Sequence, residues 1–303
     1  MKDKTKRYLV TIGKGFDIRN VNVLRSIDDA EYKDFRDQSN DLNRIGSDRD
    51  LFFLVSANFS EYKNFCENFL KNKDFKFNHK SMRMLSLEIN RKIFNFLSSF
   101  TSYVDNSRAR LSRSTLLRSA DLEYFDSTCK DLYDNNFSYR FLYNLRHYFT
   151  HCGMPVVIVG YNDSVEDTDK GVIKRVLNIQ ISRDEILKDY KWKGLKKEIL
   201  QLPEQFDINP YLHQLLQCLE HLHKEKMKIY EDLIEEKAKA IIDILHLPND
   251  QEGVLCIFIF SDYKGRSLSI EALMEALETG TKTIQYHEEH FPEEVINILS
   301  DKE

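Results

Sequence analysis

Three ionisable side chains stand close together in the stretch "YNLRHYFTHCGMP", residues 143–155: Arg146, His147 and His151. A guanidinium can bind two phosphate oxygens at once and keeps its charge. An imidazole can accept or return a proton near neutral pH. These groups are therefore suited to a phosphodiester. RNA supplies its own nucleophile, the 2′-hydroxyl, so such a site needs no metal, and we find no clustered carboxylates of the kind that a two-metal nuclease requires.

The same stretch is predicted to be the end of a helix. An apolar stripe with helical spacing precedes it and consists of Phe137, Phe141, Leu145 and Tyr148. Gly153 can adopt the left-handed conformation that closes a helix, and Pro155 prevents its continuation. His151 is therefore expected in the last turn, where the helix macrodipole favours positive charge.

The spacing of the three residues decides which of them can share a ligand. His147 lies four residues before His151 and is expected on the same helix face. Arg146 lies five residues before His151, which is about 140° around the helix at roughly 100° per residue. A short Arg–His spacing also recurs by chance, so a second interpretation stays open: a helix end with a surface arginine and a histidine favoured by the dipole.

The elements that must position this site are mostly helices. Glycine and proline are scarce, with ten and five residues in 303, and long stretches without either are typical of helical proteins. Apolar residues at three- and four-residue spacing predict helices around residues 51–69, 85–104, 137–148 and 210–247. Short runs rich in β-branched residues predict strands, and two of them suggest an inserted hairpin at about 154–182. The chain is thus predicted to be mainly α.

The predicted organisation has three consecutive parts. Residues 1–49 are expected to form a strand and a polar loop, the loop lying at 36–50, where the sequence is "RDQSNDLNRIGSDRD". Residues 50–247 are expected to form the helical domain. The stretch "HLPNDQEG", residues 246–253, marks a boundary, and residues 248–303 are expected to form an acidic appendage.

Composition limits the class of protein. The 42% of hydrophobic residues can fill a core. No window approaches the roughly 18 to 20 apolar residues of a membrane span, and the start lacks a long apolar signal core. Five scattered cysteines suggest neither disulfides nor a thiolate zinc site. We therefore expect a soluble cytoplasmic protein without a membrane partner.

Charge is distributed unevenly along the chain. Residues 71–118 hold 11 Lys or Arg against three acids, whereas residues 243–303 hold four bases against 13 acids. A local basic excess is the electrostatic pattern of a polyanion binder, although a basic helix surface is often simply solvated. Four arginines in "NSRARLSRSTLLR" form a candidate track for an RNA backbone, with a solvated loop as the alternative: Arg108, Arg110, Arg113 and Arg118.

The stretch "NLRHYFTHCGMPV" resembles the Arg, polar residue, x3 to x5, His motif of HEPN domains (higher eukaryote and prokaryote nucleotide-binding), which are helical bundles common in bacterial toxins and antiviral defence proteins. The likeness extends to "EINRKIFNFLSSFTSYVDN" at 88–106, which is similar to the long helix before the motif, and to the hairpin followed by "RDEILKDYKWKGLKKEILQL". It covers roughly residues 50–245. The resemblance therefore implies an HEPN-like bundle with an inserted hairpin.

The resemblance also implies an activity. Many HEPN proteins are metal-independent endoribonucleases that act as dimers and leave a 2′,3′-cyclic phosphate and a 5′-hydroxyl. It implies that Arg146 binds the scissile phosphate, that His151 is the acid or base, and that His147 occupies the polar position, which is often Asn. No cofactor is implied. The expected partners are RNA, a second copy of the chain and an antitoxin or regulatory protein. Some relatives of this kind are noncatalytic modules that bind nucleic acid or protein, which is the alternative.

Overall fold

The computed structural model describes residues 5–13, 17–71, 78–155, 157–167, 172–246, 254–261, 267–273 and 281–287. In these ranges the chain is mainly helical and has two small antiparallel sheets. The elements in chain order are β1 (Lys6–Gly13), β2 (Asp17–Ile27), α1 (Asp29–Lys71), α2 (His79–Arg113), α3 (Ser119–Asn135), α4 (Phe137–His151), β3 (Val157–Asp167), β4 (Val172–Ser182), α5 (Arg183–Asp189), a 3-10 turn (Lys193–Leu195), α6 (Lys196–Ile199), β5 (Gln205–Asp207), α7 (Asn209–Leu245), β6 (Val254–Ser261), β7 (Ser267–Leu273) and β8 (Thr281–His287).

The chain divides into two units, one made of residues 1–49 and 228–303 and the other of residues 50–227. The first unit contains a five-stranded sheet in the order β2-β1-β6-β7-β8, with every neighbouring pair antiparallel. Apolar residues of the sheet and of two helix segments form its core: Leu9, Ile27, Phe35, Leu42, Ile241, Leu245 and Ile257. The predicted strands "RYLVTIG" and "GVLCIFIF" are both present as β1 and β6.

This arrangement differs from the predicted division into consecutive parts. β1 pairs with β6, with Leu9 opposite Ile257. The strand after residue 248 therefore belongs to the same sheet as the N-terminal strand, because sheet partners need not be close in sequence. Of the predicted boundary stretch, residues 247–253 lie outside the described residues.

The loop predicted at 36–50 is wrong, because this segment lies inside α1. Five residues at helical spacing are buried from position 35 to position 48: Phe35, Ser39, Leu42, Ile45 and Asp48. Two of the five are polar, so a search for apolar residues at helical spacing does not detect this buried helix face. The carboxylate of Asp48 accepts a hydrogen bond from the Tyr230 hydroxyl at 2.9 Å, which makes its burial tolerable.

The second unit contains the helices around the candidate site. α2, α3 and α4 pack against one another. Aromatic rings mark the contact of α2 with α4: Phe100 meets Tyr139 edge-on at 5.0 Å, and Phe94 meets Phe149 at 5.4 Å. Helices were predicted from sequence for α2 and α4, whereas α3 was missed.

The hairpin expected at about 154–182 is present. β3 and β4 are antiparallel, and β5 adds a third strand to β4. After the hairpin, the chain returns to α4 through Trp192, whose ring stacks on Phe141 at 5.6 Å and whose indole N–H donates to the carbonyl of Ile186 at 2.7 Å. Trp192 thus fixes the 3-10 turn beside α4.

None of the helices in the described ranges combines the length and the apolar character that crossing a bilayer requires.

Candidate active site

One residue, Asn136, joins α3 to α4. Its backbone N–H donates to the carbonyl of Leu132 at 3.1 Å, which ends α3. Its side-chain oxygen accepts from the backbone N–H of Tyr139 at 3.3 Å, which begins α4. Because caps satisfy groups that a helix end leaves unpaired, Asn136 determines where α4 starts.

The end of α4 is as the sequence predicts. The helix ends at His151, and the backbone N–H groups of Cys152 and Gly153 both donate to the carbonyl of Tyr148, at 2.8 and 3.2 Å. Gly153 has φ of 109°, in the left-handed region that favours glycine. His151 therefore lies in the last turn and is exposed.

Two histidines form a parallel pair on one face of α4. The rings of His147 and His151 have centroids 6.3 Å apart and planes within 5° of each other. His147 is half-buried and His151 is exposed. Neither imidazole has a hydrogen-bond partner among the described residues, so their ring nitrogens are available to a ligand.

Burial and nearby positive charge lower the pKa of His147. Loss of hydration is the main cause, and the charges of Arg146, His151 and Lys193 act in the same direction, opposed by Asp105. Removal from water and positive neighbours both disfavour the imidazolium, so this environment favours the neutral form of His147. A neutral imidazole is the form that accepts a proton.

Arg146 faces a different direction from the pair. It precedes His147 by one residue and so lies about 100° away around the helix. Its side chain is half-buried, and its Nε is buried without a hydrogen-bond partner among the described residues. Because a buried donor that lacks a partner is costly, this guanidinium has unused capacity to bind an anion.

A cleft of about 330 Å³ lies on the side of α4 that also carries the histidine pair. Arg140 and Asn144 line it, and with His147 and His151 they follow helical spacing along one face. Its other walls come from the end of α3 and from the 3-10 turn that holds Lys193. The stripe on α4 could have been read from the sequence, but Lys193 could not, because only the fold brings it to α4.

The four arginines predicted to bind RNA lie around the end of α2 and the start of α3. Arg108 donates from Nε to Asp126 at 2.6 Å, and this carboxylate raises the pKa of the arginine. Arg118 contacts Asp121 at 3.2 Å. Arg110 also interacts with neighbours. Arg113 is exposed and has no partner among the described residues. These arginines therefore differ in their availability to RNA.

The described residues contain no group of three or more His, Cys, Asp or Glu side chains that could hold a metal ion.

Comparison of the chain with protein families, with curated proteins and with solved structures finds no match.

Proposed function

We propose that this chain is a metal-independent endoribonuclease that cleaves RNA to a 2′,3′-cyclic phosphate and a 5′-hydroxyl. The observation that supports it most directly is the histidine pair on α4, with parallel rings 6.3 Å apart. A hydrogen bond from each ring nitrogen extends about 2.7–3.0 Å further. Both rings can therefore reach oxygens of one phosphodiester placed beside the helix.

The two histidines have different roles in this proposal. Neutral His147 takes the proton of the 2′-hydroxyl, and the 2′-oxygen attacks phosphorus. The bond from phosphorus to the 5′-oxygen breaks, and protonated His151 gives its proton to that leaving oxygen. The lowered pKa of His147 supports its assignment as the base. The exposure of His151 at the helix end supports its contact with an incoming strand.

Arg146 neutralises the phosphate in this proposal. Its guanidinium would stabilise the negative charge that builds up on the non-bridging oxygens. Because Arg146 lies about 100° from His147 around α4, we propose that the arginine acts on the site of a second copy of the chain. The functional unit would then be a homodimer with facing helix ends.

The wider setting follows from the same resemblance. We propose that the second unit, residues 50–227, forms an HEPN-like bundle, which the packing of α2, α3 and α4 before a hairpin supports. The function would be that of a toxin or an antiviral defence effector, held in check by an antitoxin or regulatory protein. Of the four arginines near α3, Arg113, which has no partner among the described residues, would guide the RNA backbone. Arg108 is already paired with Asp126.

The first experiment incubates the purified protein with total RNA in EDTA. We expect cleavage by the wild type and its loss in His151→Ala and Arg146→Ala, with cyclic phosphate ends on the products. Intact RNA in every sample would contradict the proposal and favour the noncatalytic binding module. Cleavage that persists unchanged in His151→Ala would mean that the site lies elsewhere.

A mixing experiment tests the composite site. His151→Ala and Arg146→Ala proteins are unfolded together, refolded and assayed. If each site takes its arginine from one chain and its histidine from the other, mixed dimers keep one intact site, and the mixture should recover about a quarter of the wild-type activity. If both residues act within one chain, the mixture stays inactive. The matched control refolds each variant alone.

A further inference from the structure

The cleft beside the histidine pair contains a preassembled wall. Arg140 of this wall is already occupied: it donates to the carbonyls of Tyr133 and Asp134 and to a carboxylate oxygen of Glu198 at 2.8 Å. These hydrogen bonds hold the end of α3 and α6 against α4, so the guanidinium of Arg140 is already paired. A ligand in the cleft must be recognised by other groups.

Three polar groups at the cleft remain available. The carboxylate of Asp134, the side-chain oxygen of Asn144 and the ammonium of Lys193 have no partner among the described residues. Two of these groups accept hydrogen bonds and one donates. Tyr133 adds an aromatic ring that is 36% exposed. The lining of the cleft thus includes a partly exposed ring, two acceptors and one donor.

Lys193 is held in an unusual conformation. Its φ is 48°, in the left-handed region that residues with a side chain seldom adopt. Trp192 before it is buried and packed on Phe141, which fixes the turn. Backbone strain of this kind recurs where a side chain must be aimed at a ligand. The turn therefore places the Lys193 side chain at the cleft while its backbone keeps an unfavourable conformation.

Ring contacts connect the cleft lining to the histidine pair. Tyr133 meets Tyr143 at 6.2 Å, and Tyr143 meets His147 at 5.2 Å, so two ring contacts lead from the cleft to the pair. Lys193 is near enough for its charge to act on His147. A nucleotide bound in the cleft would therefore have its neighbouring phosphate near the imidazoles.

The pattern of acceptors and donor matches one base. Guanine presents two adjacent N–H donors, at N1 and N2, beside the O6 acceptor, whereas adenine, cytosine and uracil each present a different order. We propose that the cleft binds a guanine base of RNA, with Asp134 and Asn144 accepting from N1 and N2, Lys193 donating to O6 and Tyr133 stacking on the ring. Its place next to the cleaved bond rests on the proposed ribonuclease function, but the binding itself does not.

The test uses Trp192, which is the only tryptophan of the chain and lies at the cleft. His151→Ala protein, which needs no activity, is titrated with guanosine, adenosine, cytidine and uridine while tryptophan emission is recorded, and equilibrium dialysis measures the same binding independently. We expect saturable binding of guanosine that is at least about tenfold tighter than that of the other three. No retention of guanosine in dialysis, or equal retention of all four nucleosides, would overturn the proposal.

Variants assign the binding to the cleft. Asp134→Asn should weaken guanosine binding about tenfold, since its amide nitrogen cannot accept from the base. The matched control is Glu123→Gln, an exposed carboxylate of the same helix that does not line the cleft. It should bind guanosine like the parent protein. Equal weakening in both variants would mean that general charge, and not the cleft, attracts the ligand.

Cleavage assays separate this inference from the proposed function. DNA oligonucleotides with a single ribonucleotide confine cleavage to one bond, and the bases on both sides of that bond are varied. Preference for guanine on one side that disappears in Asp134→Asn supports both proposals. Cleavage with no base preference contradicts only the guanine cleft. Guanosine binding without any cleavage contradicts only the ribonuclease.

Discussion

Two basic regions of the second unit use their charges differently. At the junction of α2 and α3, Arg108 and Arg118 contact the carboxylates of Asp126 and Asp121. In the last turns of α4, the described residues provide no hydrogen-bond partner for the rings of His147 and His151. The first region has the higher density of basic residues in the sequence, but the second has the groups that are free to act on a ligand. Charge density along a sequence therefore does not locate available charge.

The two regions also differ in how much their pairing contributes to stability. Arg108 and Asp126 are both nearly half exposed, at 45 and 44%, and exposed pairs of this kind contribute only about 0.2–1 kcal/mol to stability. The buried Nε of Arg146 has no hydrogen-bond partner among the described residues. Substitutions in α4 should thus affect RNA cleavage, whereas substitutions at the junction of α2 and α3 should affect RNA affinity.

The largest expected effect is that of His151→Ala on RNA cleavage. Loss of a general acid should lower kcat by about 100- to 10,000-fold. Thermal unfolding should hardly change, because the side chain is exposed. His221, a 56% exposed histidine of α7, provides the matched control. If His221→Ala lowered cleavage as much as His151→Ala, the special role of the α4 pair would be lost.

The second effect is that of Arg146 on the same reaction. Arg146→Ala should lower kcat/KM by about 100-fold, because one donor to the developing charge is removed. Arg146→Lys keeps the charge but loses the two-pronged geometry, so it should fall between the wild type and the alanine variant. Arg44→Ala, at a 77% exposed arginine, is the control and should cleave normally. Full activity of Arg146→Ala would remove this arginine from the site.

A third, smaller effect distinguishes arginines within the paired region. RNA affinity is measured by fluorescence anisotropy at several salt concentrations, in the His151→Ala background. Arg113→Ala should reduce the slope of log affinity against log salt by about 0.7, the value for one phosphate contact of a single strand. Arg108→Ala should leave the slope unchanged, because Asp126 already neutralises that arginine. Equal changes in both variants would show that the Asp126 pair opens when RNA binds.

The smallest effect concerns the dependence of stability on pH. The pKa of His147 is lowered in the folded protein, so the unfolded chain binds this proton more readily. The contribution of His147 to the free energy of unfolding is therefore fully present above the unfolded pKa of about 6.5. This contribution is lost as pH falls through the folded pKa. His147→Gln should flatten this part of the curve of unfolding free energy against pH, measured with urea. An unchanged slope would mean that His147 is not the titrating group.

The sequence allowed the local parts of the site to be predicted. α4, its end at Gly153 and the pairing of His147 with His151 on one face all follow from helical spacing and from glycine chemistry. The hairpin of β3 and β4 could also be predicted, because the two strands are close together in the sequence. These features depend on neighbours in the sequence, so local patterns contain them.

The features that were missed depend on contacts between distant residues. The helical course of residues 36–50 rests on buried Ser39 and Asp48, and the latter needs Tyr230 as a partner. Lys193 reaches the cleft only because Trp192 packs on α4. The carboxylates beside Arg108 and Arg118 lie on the following helix and could not be assigned from charge counts. Tertiary partners decided each of these cases.

The double role of Asn136 limits where residues can be inserted into this chain. Because the residue ends α3 and begins α4 at once, the rotational phase between the two helices depends on a junction of fixed length. One inserted residue would turn α4 by about 100° relative to α3. The histidines would then leave the side on which Tyr133 and Asp134 lie. We expect an insertion at this junction to abolish the proposed cleavage even where the protein still folds.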